Sequence, residues 1–523
     1  MDNGDCGDNL IWELTDEGYL YISGEGAMWN WDVYSDQYAP WYSLRNNITS
    51  IVIQNGVTSI GWYAFSGCAA LTGIEIPDSV TYLGNSAFSD CTALTDFITG
   101  DNVTSIDYAT FHNCSSLTGI VIGDSVTFIG DYTFGNCTAL TEIKIPDSVT
   151  SIGFYTFSGC TALTDIVISD NVTSIGDGAF QGCSALTGIA IPDNVTTIND
   201  CTFEYCTALS DIVIPDNVTS IGHNAFAYCN ALTGITIPDN VTDIGDHSFS
   251  HCAILTDVVI GDSLTSIGAY AFFDCVALTD VVIGDSVTTI GNYAFGNCTA
   301  LTEIEIPDSV TSIGVYAFSG CTALTDIVIP DSVSVIYSYT FYDCTALTSI
   351  VIPDNVRSIG AGAFGNCAAL TDIVIGKSVT FIGPEAFCGC TALRYVYYRG
   401  TEEQWNAITI GDYNDALLNA TIVFNASNAP VLDLPGKTAD GAVALSWSAV
   451  FGAEKYHIWR MTDDGTFVLL GETEGTEYYD DSYTPGTTCF YLVCAIIGDS
   501  MGESSNIVMI YEPIRVVGTP TRP

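Results

Sequence analysis

Positive charge is scarce in this chain. Its 523 residues hold 11 Lys and Arg against 61 Asp and Glu, which gives a net charge of −50 at neutral pH. A surface of this kind repels phosphate backbones and anionic lipid headgroups. The composition therefore argues against nucleic-acid binding and against direct membrane insertion. It favours protein partners that carry basic patches.

Long apolar runs are also missing. No segment reaches the roughly 18 consecutive apolar residues of a membrane-spanning helix. The N-terminus, MDNGDCGDN, lacks the basic and apolar segments of a signal peptide. We therefore expect either an intracellular protein or one whose signal has been removed. Disorder is not expected, because apolar residues make up 48% of the chain and charged residues only 14%.

Recognisable catalytic motifs are few. The chain has no P-loop and no G-x-G-x-x-G, and it holds only five histidines. A G-x-S-x-G string at 498–502 precedes a predicted strand instead of the helix that a nucleophile elbow needs, so we interpret it as chance. His247 and His251 have the spacing of two metal ligands on a helix, but their segment is a short turn, which favours surface variation. The sequence predicts no enzyme, no cofactor and no metal site.

What the chain does contain is a period of 23 residues. A phenylalanine stands three residues before each periodic cysteine, from Phe65 to Phe387, and a leucine three residues after it, from Leu71 to Leu393. A period of this length indicates stacked structural units. The fifteen cysteines on this register are Cys68, Cys91, Cys114, Cys137, Cys160, Cys183, Cys206, Cys229, Cys252, Cys275, Cys298, Cys321, Cys344, Cys367 and Cys390.

Each unit is predicted to hold two short extended pieces and one compact turn. The segment 324–329 alternates, with Ile327 and Ile329 predicted inward, so it is interpreted as a strand that Pro330 ends. A second extended piece is predicted at 310–314. The segment AFSGC is predicted to be a single helical or 3₁₀ turn.

One unit cannot fold alone. About eight inward apolar side chains at roughly 1.5–3 kcal/mol each do not offset the backbone entropy of 23 residues at roughly 1–2 kcal/mol each. Stacked units bury each other's faces, so the sequence predicts a β-rich solenoid of fifteen units. At about 4.8 Å per unit, its strand sheet should be on the order of 70 Å long.

The periodic cysteines raise the question of disulfides. A disulfide needs the Cβ atoms of its two cysteines to lie about 3.5–4.5 Å apart. Equivalent side chains of neighbouring units should not come so close. We therefore expect reduced, buried thiols that pack as small hydrophobes. Free thiols are also expected at the five cysteines off the register, which are Cys6, Cys201, Cys388, Cys489 and Cys494.

The repeat L-x-x-I-x-I-P-x-x-V-x-x-I-x-x-x-A-F-x-x-C resembles the Treponema-type leucine-rich repeat of BspA-like surface proteins, over residues 46 to about 400. CGDNLIWEL, GYLYISGEGAM and PWYSLRNNITSIVI resemble that family's N-terminal leader, and 395–410 resembles its end piece. The resemblance implies an extracellular or cell-surface protein of host-associated bacteria or protists. It also implies adhesion to host matrix proteins or to other cells.

The two ends depart from the period. Residues before the first unit are rich in tryptophan, which predicts an aromatic lid over the open core, and a carbohydrate-binding platform is the alternative. Alternating segments after 429, with Trp447 early and Tyr491 late, resemble a fibronectin type III domain. The predicted organisation is an N-terminal cap at 1–45, a leucine-rich-repeat solenoid at 46–390, a capping segment at 391–424, a linker at 425–428, a fibronectin type III-like domain at 429–513 and a tail at 514–523.

The predicted binding face follows from the strand alternation. Residues seven after each cysteine should point outward, and eight of fourteen are valine, while nine of fourteen residues five after are acidic. An exposed apolar stripe beside an acidic one favours a protein partner with Lys or Arg, although valine is also simply a good strand former. The candidate ligand-binding residues are Val259, Val282, Val328, Val351, Val374, Asp257, Asp280, Asp326 and Asp372.

A second acidic row lies ten residues after the cysteines, from Asp78 to Asp354, and is broken at Lys377. Weak calcium binding along this row is one interpretation. The other is that these aspartates accept hydrogen bonds from the backbone of the turn. The sequence thus predicts a non-enzymatic, adhesin-like surface or secreted binding protein. The alternatives are a structural surface spacer and a carbohydrate-binding or carbohydrate-processing surface protein.

Overall fold

The computed structural model describes residues 2–424 and then 432, 435–438, 442–447, 450, 453–461, 466–483, 489–497, 500–505 and 508–510. Residues 2–424 form one β-solenoid of 23-residue coils with a different structure at each end. The predicted linker at 425–428 and tail at 514–523 lie outside the described residues. No helix of the described residues is both long enough and apolar enough to cross a membrane.

Each coil presents a first strand on one face. These strands pair in parallel and in register at a spacing of one unit, so that Asp257 lies opposite Asp280 and Val259 opposite Val282. Equivalent side chains therefore stack along the solenoid. The first strands are Ser50–Ile53, Gly73–Glu75, Asp96–Ile98, Gly119–Val121, Glu142–Lys144, Asp165–Val167, Gly188–Ala190, Asp211–Val213, Gly234–Ile237, Asp257–Ile260, Asp280–Val282, Ser349–Ile352, Asp372–Ile375, Tyr395–Tyr398 and Thr421–Phe424.

The first-strand ladder is broken, contrary to the single continuous sheet that the period predicts. Segments 303–306 and 326–329 keep the alternation of exposed and buried residues without forming a regular strand, so the strand predicted at 324–329 is wrong in this respect. Glu303 adds a carboxylate to the row of Asp280 and Asp326, and Glu305 takes the position of Val282 and Val328. Like charges that face each other on neighbouring strands weaken the pairing.

A second face carries shorter strands. They form ladders of seven, six and four strands, whereas the first-strand face has one ladder of seven that includes three cap strands and others of two, two, three and four. The second strands are Val57–Ile60, Tyr82–Leu83, Ser105–Ile106, Phe128–Ile129, Ser151–Ile152, Ser174–Ile175, Thr197–Ile198, Ser220–Ile221, Asp243–Ile244, Ser266–Ile267, Thr289–Ile290, Ser312–Ile313, Val335–Ile336, Ser358–Ile359, Phe381–Ile382 and Thr409–Ile410.

The third side of the coil is built from left-handed turns, not from the predicted helical turn. In every unit the residues five and one before the periodic cysteine have a positive φ, as at Tyr316 (59°) and Gly320 (76°). A helix cannot contain such residues. Backbone N–H groups instead donate to the next coil, from Phe318 to the Thr340 carbonyl at 2.9 Å and from Gly320 to the Tyr342 carbonyl at 2.8 Å. We call this side the turn face.

The core is a column of stacked side chains. Phenylalanine rings from Phe65 to Phe387 follow each other at centroid distances of 5.1–5.7 Å. All fifteen periodic cysteines are free and buried, which confirms the expectation of unbridged thiols. Fourteen of them also donate S–H to the phenylalanine carbonyl of the preceding unit at 3.1–3.3 Å, a bond that the sequence did not reveal.

The N-terminal end of this column is covered by an antiparallel meander and two 3₁₀ turns. Trp12, Trp31 and Trp41 are buried there, and the Trp41 ring stacks on Phe65 at 5.7 Å. The Trp41 indole N–H donates to the Ala64 carbonyl at 2.8 Å. The elements of this end are Asp2–Gly7, Leu10–Leu14, Tyr19–Gly24, Gly26–Ala27, Val33–Ser35 and Tyr42–Asn47.

The C-terminal end of the solenoid is covered by an irregular coil with two short helices, Glu402–Asn406 and Asp415–Asn419. The buried side chain of Asn414 makes hydrogen bonds to backbone groups at this end of the solenoid. Its Oδ1 accepts from the Phe387 backbone N–H at 3.0 Å, and its Nδ2 donates to the carbonyls of Gly383 at 2.9 Å and Gly411 at 2.8 Å. The bond to Phe387 replaces the one that the next coil makes to each earlier phenylalanine N–H, as from Phe364 to the Ala386 carbonyl at 2.8 Å.

The described residues after 431 form two antiparallel sheets around a separate core that includes Trp447 and Tyr491. The strand Glu477–Asp480 was not predicted. Ser500 begins a strand, so no helix follows it, while Gly498 and Asp499 lie outside the described residues. The strands are Gly436–Lys437, Val443–Ser446, Lys455–Met461, Phe467–Thr473, Glu477–Asp480, Cys489–Ile497, Ser500–Ser504 and Val508–Ile510.

Candidate binding face

The first-strand face carries the predicted aliphatic row. Successive side chains on these strands alternate between core and solvent, so the residue between the two inward positions is exposed. Six valines of the row are 42–74% exposed, and Ile98 extends the row towards the N-terminus at 63%. These six valines are Val121, Val167, Val213, Val259, Val282 and Val328.

The C-terminal end of the row differs from the prediction. Val374 is only 2% exposed and is removed from the candidate face, and Val351 is half-buried. The position next to Val374 in the same row is Tyr397, whose ring replaces a valine. Burial raises the pKa of Tyr397, and Asp372, Tyr395 and Tyr456 raise it further, the last of these from the C-terminal sheets. The accessible row therefore ends before Val374.

The acidic row lies two residues away on the same strands. Asp257, Asp280 and Asp326 are exposed, while Asp372 is half-buried. Asp257 and Asp280 face each other across neighbouring strands. Threonine hydroxyls preceding these carboxylates donate to them, from Thr256 to Asp257 and from Thr279 to Asp280 at 3.0 Å. The structure thus brings the two predicted rows together on one surface, with Val374 and Asp372 at its covered end.

The second acidic row is partly organised by asparagine. In six coils the residue after the turn aspartate is asparagine, and in the others it is serine. The asparagine Nδ2 donates to the aspartate carbonyl of the preceding coil, as from Asn194 to Asp170 at 2.7 Å and from Asn240 to Asp216 at 2.7 Å. At the row's end the Asp354 carboxylate pairs with Lys377 at 3.4 Å and with Arg399 at 3.7 Å. Within the described ranges, no three His, Cys, Asp or Glu side chains are grouped to hold a metal.

The two histidines with metal-like spacing belong to ring stacks. His247 stacks on Tyr270 at 4.5 Å, and His251 stacks on Tyr228 at 4.4 Å. The Nδ1 of His251 also lies 3.2 Å from Asp274 Oδ2. Both residues have positive φ on the turn face, so they are not on one face of a helix.

An open groove on the turn face was not predicted. It has a volume of about 790 Å³ and lies between the N-terminal cap and the first four coils, with Tyr34, Tyr63, Tyr108 and Tyr132 among its lining residues. Its polar lining includes Asp90 and His112. The sequence signal nearest to it was the aromatic-rich segment before the first unit, for which a carbohydrate-binding platform was the alternative interpretation.

Solved structures include clear relatives of this fold. A leucine-rich repeat protein from Bacteroides ovatus is 28% identical over 80% of this chain and 98% of its own, with a TM-score of 0.60. A leucine rich cell surface protein from Faecalibacterium prausnitzii is 29% identical over 77% of this chain and 96% of its own, with a TM-score of 0.39. The T. pallidum leucine rich repeat protein is 25% identical over 42% of this chain and 86% of its own, with a TM-score of 0.28.

No curated protein matches this chain. The profile of the BspA type leucine rich repeat region, however, matches residues 41–164, 150–279 and 265–394 in six copies. These overlapping stretches span the solenoid and more than half of the 523 residues. The chain therefore belongs to the BspA type leucine-rich repeat family.

Proposed function

We propose that this protein is a non-enzymatic, cell-surface or secreted binding protein that engages other proteins through its first-strand face. The observation that supports this most directly is that one outward position of the first-strand face holds six valines, 42–74% exposed, and Ile98. Ile98 with Val121 and Val259 with Val282 are direct neighbours, while other coils hold Lys144, Ala190, Thr236 and Glu305 at this position. Exposed apolar patches on a soluble protein commonly mark an interaction site. A surface location is consistent with the F. prausnitzii relative, which is a leucine rich cell surface protein.

The partner is a protein with basic patches, such as a host matrix or cell-surface protein. Asp257, Asp280 and Asp326 lie beside the valine row, and the whole chain carries a net charge of −50. Opposite charge on the partner would speed association and fix its orientation, while the aliphatic row supplies the buried area. Adhesion is the role that this chemistry serves.

The C-terminal sheets form a fibronectin type III-like module in this proposal. Two antiparallel sheets enclose Trp447 and Tyr491. The Tyr491 hydroxyl donates to Asp480 Oδ2 at 2.8 Å, which ties the two sheets together. Such a module acts as a spacer or a second protein-binding unit. A crystal structure in which the strand order differs from that of a fibronectin type III sandwich would refute the assignment.

The binding face is tested by charge insertion. Val213, Val282 and Val328 are replaced together by lysine, and binding to an array of matrix proteins and cell-surface proteins is measured by surface plasmon resonance. Calcium is added and then chelated in parallel, which also tests the acidic rows. The proposal predicts at least a tenfold loss of affinity for every partner of the unsubstituted protein.

The matched control replaces Thr265, Thr288 and Thr311 by lysine, because these exposed residues lie on the second-strand face and change the net charge equally. This variant should retain binding. A structural spacer would show no specific partner, and equal losses in both variants would indicate a charge effect without a defined face. Either result contradicts the proposal.

A further inference from the structure

The turn face carries a row of tyrosines that is interrupted in several places. Residues five before the periodic cysteines are tyrosine in many units, and Tyr270, Tyr293, Tyr316 and Tyr339 stack at centroid distances of 4.4–4.6 Å. Between Tyr63 and Tyr132 the same position holds Ser86 and Ala109. Two rings are therefore missing from this stretch of the row. The same position also lacks a ring at Gly178, Cys201, Asn224, Gly362 and Glu385, which lie away from the N-terminal cap.

The missing rings leave the groove described above. Ser86 and Ala109 are buried at its floor, and aromatic rings stand at both ends. At one end Tyr34, 88% exposed, lies edge-on to Tyr63 at 6.3 Å. At the other end Tyr108, 45% exposed, lies 5.8 Å from Tyr132.

Polar side chains along the groove are held in place. Asp90 accepts from Asn113 Nδ2 at 2.8 Å and from Ser89 Oγ at 3.2 Å, and Asn113 accepts in turn from Asn136 at 3.0 Å. Burial lowers the pKa of His112, so its imidazole is neutral at pH 7 and offers one donor and one acceptor. The groove thus combines ring surfaces with fixed donors and acceptors.

We propose that this groove binds a short neutral oligosaccharide. Pyranose rings have apolar C–H faces that pack on aromatic rings and hydroxyl edges that bond to carboxylate, amide and imidazole groups. The volume of about 790 Å³ lies within the usual range for small-ligand sites. The net charge of −50 disfavours acidic sugars.

A peptide is the less suitable occupant. Peptide anchors are bound in dry apolar pockets, whereas much of this lining is polar, including Asn46, Ser66, Ser89 and Thr92. Arg45, the basic residue of the lining, is held over the Tyr42 ring at 3.8 Å and donates to the Tyr42 carbonyl at 2.7 Å. Its donors are therefore partly used within the protein.

The decisive variant fills the gap. Ala109→Tyr places a tyrosine where other coils already have one. The backbone at Ala109 has φ 52°, close to the 56° of Tyr132 at the equivalent position, so the backbone already suits the new residue. The new ring would stack on Tyr132 and occupy the groove. Ser86→Tyr does the same one coil earlier and serves if the first variant does not fold. Tyr108→Ala removes a ring surface, and Tyr316→Ala removes an equivalent ring far from the groove.

The full chain is titrated calorimetrically with cello-, xylo-, manno- and malto-oligosaccharides and with oligomers of N-acetylglucosamine, and circular dichroism verifies folding. At least one series should bind, with a tenfold or greater loss in Ala109→Tyr and in Tyr108→Ala and less than a twofold change in Tyr316→Ala. The lysine variant of the first-strand face should bind the sugar normally, which separates this site from the proposed protein-binding face.

Three results would overturn the proposal. The first is the absence of heat or saturation-transfer signal with every series at millimolar sugar. The second is binding that survives filling of the groove by either tyrosine. The third is selective binding of hyaluronan or heparin fragments, or of peptides from a displayed library, in place of the neutral sugars.

Discussion

Asn414 offers the sharpest test of how the solenoid is terminated. Its amide makes three hydrogen bonds to backbone groups of Phe387, Gly383 and Gly411, and its side chain is 1% exposed. Replacing it with alanine leaves the buried Phe387 N–H without this partner and removes one hydrogen bond from each of the Gly383 and Gly411 carbonyls. A buried unsatisfied N–H costs roughly 1–3 kcal/mol and each lost hydrogen bond about 0.5–1.5 kcal/mol, so the change should destabilise the end of the array by about 3–5 kcal/mol.

The loss should be local, because each coil of a solenoid contacts only its neighbours. Hydrogen exchange measured by mass spectrometry should therefore show faster opening in residues 381–424, by roughly 100- to 3,000-fold at 1.4 kcal/mol per factor of ten. Protection near the N-terminal cap should not change. Asn414→Asp should be at least as damaging at pH 7, because its carboxylate keeps the acceptor but faces two carbonyl oxygens.

The matched control is Asn419→Ala, an exposed asparagine in the same end segment. It should leave exchange unaltered. The reasoning is refuted if Asn414→Ala changes local opening by less than threefold. It is equally refuted if protection falls evenly along the whole solenoid, because the amide would then not be acting as a substitute for the next coil.

Three further outcomes are expected. A thiol reagent at pH 8 should label exposed Cys388 quickly and the buried periodic cysteines only after denaturation. Burial raises the pKa of buried thiols such as Cys160 to about 12. Fast labelling of the periodic cysteines in folded protein would contradict this. Glu385→Gly should raise thermal stability by up to about 1 kcal/mol, since Glu385 has φ 60° and glycine pays no steric penalty there; a lower melting temperature would count against it. Burial alone would raise the pKa of Asp480, but hydrogen bonds from Ser482, Tyr491 and Arg460 outweigh burial and lower the pKa. The C-terminal sheets should therefore lose stability as pH falls below about 4. Asp480→Asn should remove that pH dependence.

The core could be predicted from the sequence because its pattern is repeated fifteen times. Phenylalanine, cysteine and leucine at fixed offsets can only stack if the units are in register, and the structure places them so. The alternation around Val282 likewise fixes which side chains face solvent. Periodicity predicts these features well because every coil must pack on its neighbours in the same way.

Features that depend on a single coil were missed. The turn was predicted as a single helical or 3₁₀ turn from the shortness of its segment, yet Tyr316 adopts a positive φ where the next coil supplies backbone partners. Val374 was predicted exposed from its position in the row, whereas its burial depends on the coils that follow. The groove arises from two departures from the repeat, Ser86 and Ala109, whose effect appears only when four coils and the cap are assembled.

The in-register stacking of identical coils has a consequence for how this molecule can change over generations. Because the top of every unit fits the bottom of every other, removing or duplicating 23 residues in frame joins two surfaces that are already complementary, and the two end pieces need no alteration. Each such event would shorten or lengthen the array by about 5 Å. Reach is thus a quantity that in-frame gain or loss of repeats can adjust in small steps.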